Sequence, residues 1–114
     1  MRQAIFRGLC AAGVSLVSIL TAGDEVGVRR DGVTPWRMVG VPDGLGAFDN
    51  GDDTVTVLVN HEAKKNDGVA RGHGFAGAFV SRLVIDKASL RVISGADLIQ
   101  QAFAYDAAAP GSST

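Results

Sequence analysis

Cysteine is nearly absent from this chain, since Cys10 is the only one among 114 residues. A single cysteine cannot form a disulfide within the chain, so the cysteine content gives no information about a redox compartment. Aromatic residues make up 6% of the chain and its net charge is −1. Without a basic surface or aromatic residues interleaved with Lys and Arg, the sequence gives no electrostatic case for nucleic-acid binding.

Long apolar runs are also lacking. The run Leu9–Leu20 is too short for a helix that spans a membrane. It follows two arginines and precedes the small residues Thr21–Gly23, as in a secretory signal. The alternation within Val14–Leu20 fits a first β-strand equally well. Residues 1–17 are therefore either a signal-like segment or the first strand.

The remaining composition is that of a small globular domain. Hydrophobic residues make up 46% and charged residues 20% of the chain, which argues against disorder throughout. Fifteen glycines favour many turns and short strands over long helices. We expect one β domain over residues 18–106. The segment 107–114, AAAPGSST, has the composition of a flexible tail.

The apolar stretches after Gly23 predict short strands that pair as antiparallel hairpins. The predicted strands and apolar stretches are Trp36–Val41, Leu45–Phe48, Thr54–Asn60, Ala78–Ile85 and Leu90–Ile93. Gly95 is expected to end the last of them, and Asp97–Tyr105 fits either a short helix or another strand. The sequence therefore predicts an all-β fold, either a small open sheet or a part of something larger.

The central hairpin has the clearest pattern. Asn50–Gly51 lies between two β-rich segments, and both residues accept positive φ angles. In the strand that follows, Val55, Val57 and Val59 share one face, because side chains alternate along a strand. We expect this strand to lie in a stacked or closed sheet.

The turn of this hairpin is acidic. Asp49, Asp52 and Asp53, together with Asn50, supply the oxygen ligands that Ca²⁺ prefers. Their spacing does not match an EF-hand loop. The alternative is a hydrated hairpin turn without a metal.

The other end of the same strand carries Asn60, His61 and Glu62. Alternation directs Asn60 and Glu62 to one face and His61 to the other. Asn60 and Glu62 could share a metal ion, with Asp43 from the preceding turn as a further ligand. His61 would then have a supporting or substrate-binding role. The alternative is a strand that becomes polar where it reaches solvent.

A long glycine-rich segment, Ala63–Gly77, follows the strand. Loops of this length inside a domain are usually functional or disordered. Arg71 and His73 in this segment could hold a phosphate or another oxyanion. A hydrated loop explains the same residues equally well.

Several of these segments together resemble the N-terminal part of PhoX-type alkaline phosphatases. The resemblance rests on Val39–Glu62, with its Pro-Asp-Gly-Leu-Gly-Ala and Val-Asn-His-Glu motifs, and on the later segments Arg71–Gly74, Gly77–Ser81 and Ser94–Leu98. It covers about Ser18 to Ile99.

The resemblance implies a β-propeller-like, exported, periplasmic or secreted hydrolase that depends on calcium and iron and cleaves phosphate monoesters. Glu62 would be a metal ligand, with Asp43 and Asn60 close to the site. Family members are several times longer, so this chain would be a fragment of one to two blades that is not catalytic alone. One alternative is a non-enzymatic exported β module that binds calcium and contacts a partner protein. Another is the product of a truncated gene without its own function.

Overall fold

The computed structural model describes residues 5–6 and 13–103, and all regular secondary structure in these ranges is β-strand. The strands are β1 (Ile5–Phe6), β2 (Leu16–Val17), β3 (Glu25–Val28), β4 (Pro35–Arg37), β5 (Pro42–Asp49), β6 (Thr54–His61), β7 (Phe79–Asp86) and β8 (Val92–Asp97). They form three antiparallel sheets, β1–β2, β3–β4 and β5–β6–β7–β8. The predicted all-β fold of short hairpins and open sheets is confirmed. Within these ranges no helix is long and apolar enough to cross a membrane.

The two termini are only partly covered by this description. Within the segment 1–17, β1 pairs with β2, with Ile5 opposite Val17. Cys10 and the predicted tail 107–114 lie outside the described residues.

The β5–β6 hairpin forms as predicted, with Asp49 opposite Val55. The positive φ angles fall on Gly51 and Asp53, at 78° and 66°, and not on Asn50. Asn50 is held differently, because its backbone N–H donates to the Thr54 carbonyl oxygen at 3.1 Å. Its side chain also donates to the Thr54 hydroxyl. The turn therefore spans four residues, 50–53, rather than two.

The β7–β8 hairpin corrects three expectations. Its second strand begins at Val92 rather than Leu90, because Asp86 holds the turn by accepting two hydrogen bonds from Ser89. Gly95 lies inside the strand rather than ending it. Asp97 ends β8, and residues 98–103 are neither helix nor strand; positions 104 and 105 lie outside the described residues.

The core lies between the β3–β4 ribbon and one face of the four-stranded sheet. Its buried residues are Val26, Trp36, Val59, Leu83, Ile85 and Val92, with Val55 and Val57 packed beside them. The predicted apolar face of β6 is therefore confirmed. Trp36 packs so closely on Gly95 that a Cβ there would lie 2.6 Å from two carbons of the indole ring. This contact explains why a glycine is needed inside β8.

The first strand of the large sheet is uncovered. All eight residues of β5 are exposed, including Leu45 at 68% and Phe48 at 53%. Among the described strands β5 pairs only with β6, so within this part of the chain its other edge presents unpaired backbone groups.

Candidate functional site

Two grooves lie beside the loop that joins β6 to β7. The larger, about 790 Å³, is lined by Arg29, Arg30, Arg82 and Asp97 among others, and we call it the β8 groove. The smaller, about 440 Å³, is lined by Glu62 among others, and we call it the Glu62 groove. Each groove carries four basic and two acidic side chains, although the whole chain has a net charge of −1. Both grooves are therefore electropositive relative to the rest of the protein.

Arg71, predicted to hold an oxyanion, borders both grooves and pairs with Asp97. Its Nη2 lies 2.5 Å from Asp97 Oδ1 and its Nε 3.1 Å from Oδ2. Asp97 also accepts from the Gly72 N–H at 2.7 Å and from Trp36 Nε1 at 3.0 Å. Four donors thus surround one carboxylate, which ties the long loop and the β3–β4 ribbon to the end of β8.

These donors also set the charge state of Asp97. Burial alone would raise the pKa of its carboxyl group, but the hydrogen bonds from Arg71, Gly72 and Trp36 outweigh burial and hold the pKa below its ordinary value. Asp97 is therefore an anion that offsets the charge of Arg71.

A stack of three planar groups continues from Arg71 into the protein. The Arg71 guanidinium carbon lies 3.8 Å from the centre of the Phe79 ring. On that ring the imidazole of His61 stacks with a centroid distance of 4.4 Å and an interplanar angle of 9°. The stack fixes the orientation of the imidazole, since aromatic and cation–π contacts are both directional.

His61, predicted to support a metal or a substrate, is a core residue with 1% exposure. Its Nδ1 lies 3.0 Å from the Gly40 carbonyl oxygen and must donate to it. Its Nε2 lies 2.9 Å from the hydroxyl of Ser81. A serine–histidine pair at this distance is a nucleophilic arrangement in many enzymes. Here both residues are buried, so the pair holds β6, β7 and Gly40, two positions before β5, together.

His73, the other predicted substrate-binding histidine, holds its own loop. Its Nε2 donates to the Ala78 carbonyl oxygen at 3.1 Å, and its Nδ1 accepts from the Phe75 N–H at 3.2 Å. This pair of bonds requires the neutral imidazole with its proton on Nε2.

The predicted acidic turn uses two of its three carboxylates within the hairpin. Asp49 forms an ion pair with Lys87 at 2.8 Å and accepts from the Gly51 N–H. The hydrogen bond from Lys87 and the bond from Gly51 lower the pKa of Asp49. Asp52 accepts from the backbone and hydroxyl of Thr54. Within the described residues the Asp53 side chain makes no hydrogen bond or ion pair, but the Asp53 backbone carbonyl accepts from the Lys87 N–H.

Asp43, Asn60 and Glu62 lie at the opposite end of the β5–β6 hairpin. All three are exposed, and no hydrogen bond or ion pair engages their side chains within the described residues. Asn60 lies against Gly44, where a Cβ would be 3.2 Å from the Asn60 amide nitrogen. The backbone N–H of Glu62 donates to the Val41 carbonyl at 2.9 Å. The fold thus brings the strand ends that carry these groups together.

The two ends of the hairpin are separate sites. Asp49 lies six positions after Asp43 along β5, a distance of roughly 20 Å at about 3.3 Å per residue. One ion therefore cannot bind both groups of carboxylates. Among the described residues, no three His, Cys, Asp or Glu side chains converge to form a metal centre.

Sequence reasoning missed two residues of these grooves. Asp97 belongs to the Ser94–Leu98 segment, but its partners come from distant parts of the chain, 61 residues away for Trp36 and 26 for Arg71. No local pattern predicts such pairs. Arg29 lies in a turn that reads as an ordinary connection, although Asp31–Gly32 signals that turn in the sequence.

Comparisons with known protein families, with curated proteins and with solved structures found no match to this chain.

Proposed function

We propose that this chain is a β-sheet module of a phosphatase-like protein and supplies ligands to a calcium site at the open end of the β5–β6 hairpin. The observation that carries the proposal is that Asp43, Asn60 and Glu62 lie at one hairpin end, and within the described residues their side chains make no hydrogen bond or ion pair. Asp49 and Asp52, by contrast, are engaged within their turn. Carboxylate and amide oxygens are the ligands that Ca²⁺ prefers.

The surroundings of Glu62 support a phosphate ester as the substrate. Glu62 lines a groove together with Arg29, Arg37, Lys64 and Arg71, so a bound cation would lie beside groups that attract an anion. Calcium there would polarise the phosphoryl group and help activate the attacking oxygen. Iron, and an exported location, belong to the proposal through the resemblance alone.

The proposal gives the isolated chain no catalytic activity. Ca²⁺ takes six to eight oxygen ligands, and this hairpin end offers three side chains. Water or another protein segment would supply the rest. The four-stranded antiparallel sheet has the architecture of one propeller blade, and its exposed β5 is where a further sheet would pack.

Calcium titration followed by thermal unfolding tests the metal site. Ligands that bind the folded state raise the melting temperature, by an amount equivalent to about 2.7 kcal/mol at a hundred times the dissociation constant. We expect a rise that Glu62→Gln abolishes and that Asp52→Asn, at the other hairpin end, leaves in place. Loss of the effect with Asp52→Asn alone would move the site to the acidic turn, and no rise in the wild type would refute calcium binding.

An activity assay tests the proposal that the isolated chain is not catalytic. With calcium and iron added, hydrolysis of a generic phosphomonoester by the isolated chain should be undetectable. Turnover that Glu62→Gln abolishes would contradict the proposal that the chain is not catalytic alone.

A second candidate function is partner binding without catalysis, and the exposure of β5 favours it. An extended segment of a partner could add to the free edge of β5 by backbone hydrogen bonds. The acidic turn and the loop 63–77 flank the sheet and would add contacts. Ala47→Pro, which removes a backbone N–H that points away from β6, should weaken capture of such a partner, whereas Glu62→Gln should not.

A further inference from the structure

Arg29 differs from the other groove-lining arginines in having a buried N–H without a partner. Its Nε is shielded from solvent and makes no hydrogen bond in the described part of the chain. Its backbone is fixed, because its N–H donates to the Thr34 carbonyl at 2.7 Å and its carbonyl accepts from the Gly32 N–H at 2.9 Å. Buried donors are almost always satisfied in folded proteins, so the fold holds this guanidinium in place at an energetic cost.

The acidic side chains near Arg29 already accept hydrogen bonds from other groups. Asp31 accepts from the Thr34 hydroxyl and from the Val33 and Thr34 backbone. These hydrogen bonds, with a smaller contribution from the charge of Arg29, lower the pKa of Asp31. The Asp97 carboxylate accepts hydrogen bonds from four donors. Within the described residues no carboxylate lies within ion-pair distance of Arg29.

Two further cations of the β8 groove, Arg30 and Arg82, also lack an ion-pair partner among the described residues. The four arginines of this groove exceed its two carboxylates, Asp31 and Asp97, by two, and within the described residues only Asp97 forms an ion pair with one of them. In the Glu62 groove, by contrast, the same excess of two basic side chains is reduced because Arg37 is paired with Glu25 at 2.5 Å. The excess positive charge is therefore greater in the β8 groove.

The β8 groove also offers apolar surface. Val28 and Leu98 line it and are 50% and 40% exposed. Its volume of about 790 Å³ is within the range of small-molecule sites, about 300–1,000 Å³. An inorganic ion alone would leave most of this space to water.

We propose that the β8 groove binds a small organic oxyanion, whose phosphate, sulfate or carboxylate group accepts from the terminal Nη groups of Arg29 while its apolar part lies against Val28 and Leu98. Arg30 and Arg82 supply the additional positive charge. Arginine suits this role because its planar group donates to an oxyanion in a bidentate manner. The site needs no metal and is separate from the carboxylates at Asp43 and Glu62.

Nuclear magnetic resonance of the wild-type chain, without metal, tests the site directly. Phenyl phosphate, phenyl sulfate, benzoate and inorganic phosphate are titrated separately at constant ionic strength, and the side-chain Nε–H signals of the arginines are followed. We expect phenyl-bearing anions to shift the Arg29 and Arg82 signals in a saturable way. Arg29 borders both grooves but Arg82 lines only the β8 groove, so the Arg82 shift locates the anion there. The signal of Arg91, which lines neither groove, is the internal control. The order of affinities among the probes identifies the preferred oxyanion.

Substitutions then test whether Arg29 contacts the bound anion. Arg29→Gln should weaken binding roughly ten- to hundredfold, since a hydrogen bond to a charged group contributes about 1.5–3 kcal/mol, and Arg91→Gln should leave binding unchanged. Arg29→Lys keeps the charge but loses the bidentate geometry, so it should restore only part of the affinity. Equal shifts at Arg29 and Arg91, or no saturable shift with any probe, would overturn the proposal. Because calcium is absent, failure here is distinguishable from failure of the calcium site.

Discussion

Replacement of Asp97 by asparagine should be one of the most destabilising single-atom changes in this protein. The carboxylate accepts four hydrogen bonds, from Trp36, Gly72 and twice from Arg71. Asparagine keeps one oxygen but turns the other position into a donor that faces donors. It also leaves the Arg71 guanidinium without its anion, in a pair whose side chains are only 7% and 12% exposed.

The cost follows from these contacts. Removing one partner of a buried ion pair costs about 3–5 kcal/mol, and we expect about 3 kcal/mol because the groove admits some water to this pair. For a domain of this size, each kcal/mol lowers the melting temperature by about 4–8 °C. The expected loss is therefore roughly 12–24 °C.

Urea unfolding followed by circular dichroism measures this change, and Asp43→Asn is the matched control. Asp43 is exposed, so its variant should stay within about 0.5 kcal/mol of the wild type without metal. A double-mutant cycle with Arg71→Met isolates the pair, with an expected coupling of about 1–3 kcal/mol. A loss no larger than that of the control, or no coupling, would refute the anchoring role of Asp97.

The same pair of proteins gives a pH test. The folded-state pKa of Asp97 is below its ordinary value of 3.8. The stabilising effect of the ionised carboxylate is therefore present above the ordinary pKa and is lost as the pH falls from there through the folded-state pKa. The wild type should therefore lose more stability than Asp97→Asn between about pH 5 and about pH 3. Other carboxylates with lowered pKa values, Asp31, Asp49 and Asp86, are present in both proteins and cancel in the difference. Parallel acid curves would contradict the assigned charge.

Two further substitutions test the core. Gly95→Ala forces a Cβ against the ring of Trp36 and should cost about 1–3 kcal/mol, whereas Gly46→Ala, with open space around it, should be close to neutral in urea unfolding. Ser81→Ala removes the hydroxyl that lies 2.9 Å from the buried Nε2 of His61 and should cost about 1–3 kcal/mol. Equal stability of Gly95→Ala and Gly46→Ala, or an unchanged unfolding midpoint for Ser81→Ala, would count against these contacts.

The fold was largely predictable because its strands are local patterns. Alternation of Val55, Val57 and Val59 identified the core face of β6, and Asn50–Gly51 marked the hairpin. The start of β8 and the place of Gly95 were not predictable. They depend on Asp86 closing its turn and on Trp36, from a strand about 60 residues away, occupying the space of a side chain.

The residues available to bind a ligand were less predictable than the fold, for a related reason. A sequence shows which polar residues are present but not which of them the fold engages. Arg71, His61 and His73 were all predicted to bind substrate, and each makes hydrogen bonds within the protein. Conversely, Arg29 has an ordinary local sequence, and only the tertiary structure places its Nε in a buried position without an acceptor.

This difference between engaged and unengaged polar groups has an energetic consequence. A buried donor without an acceptor costs about 1–3 kcal/mol, so the folded chain is less stable than it would be with Arg29 satisfied. An oxyanion in the β8 groove offsets this cost through its attraction to Arg29, Arg30 and Arg82. Binding and stability are therefore linked, and the anion preferred in the β8 groove should also be the one that raises the melting temperature most.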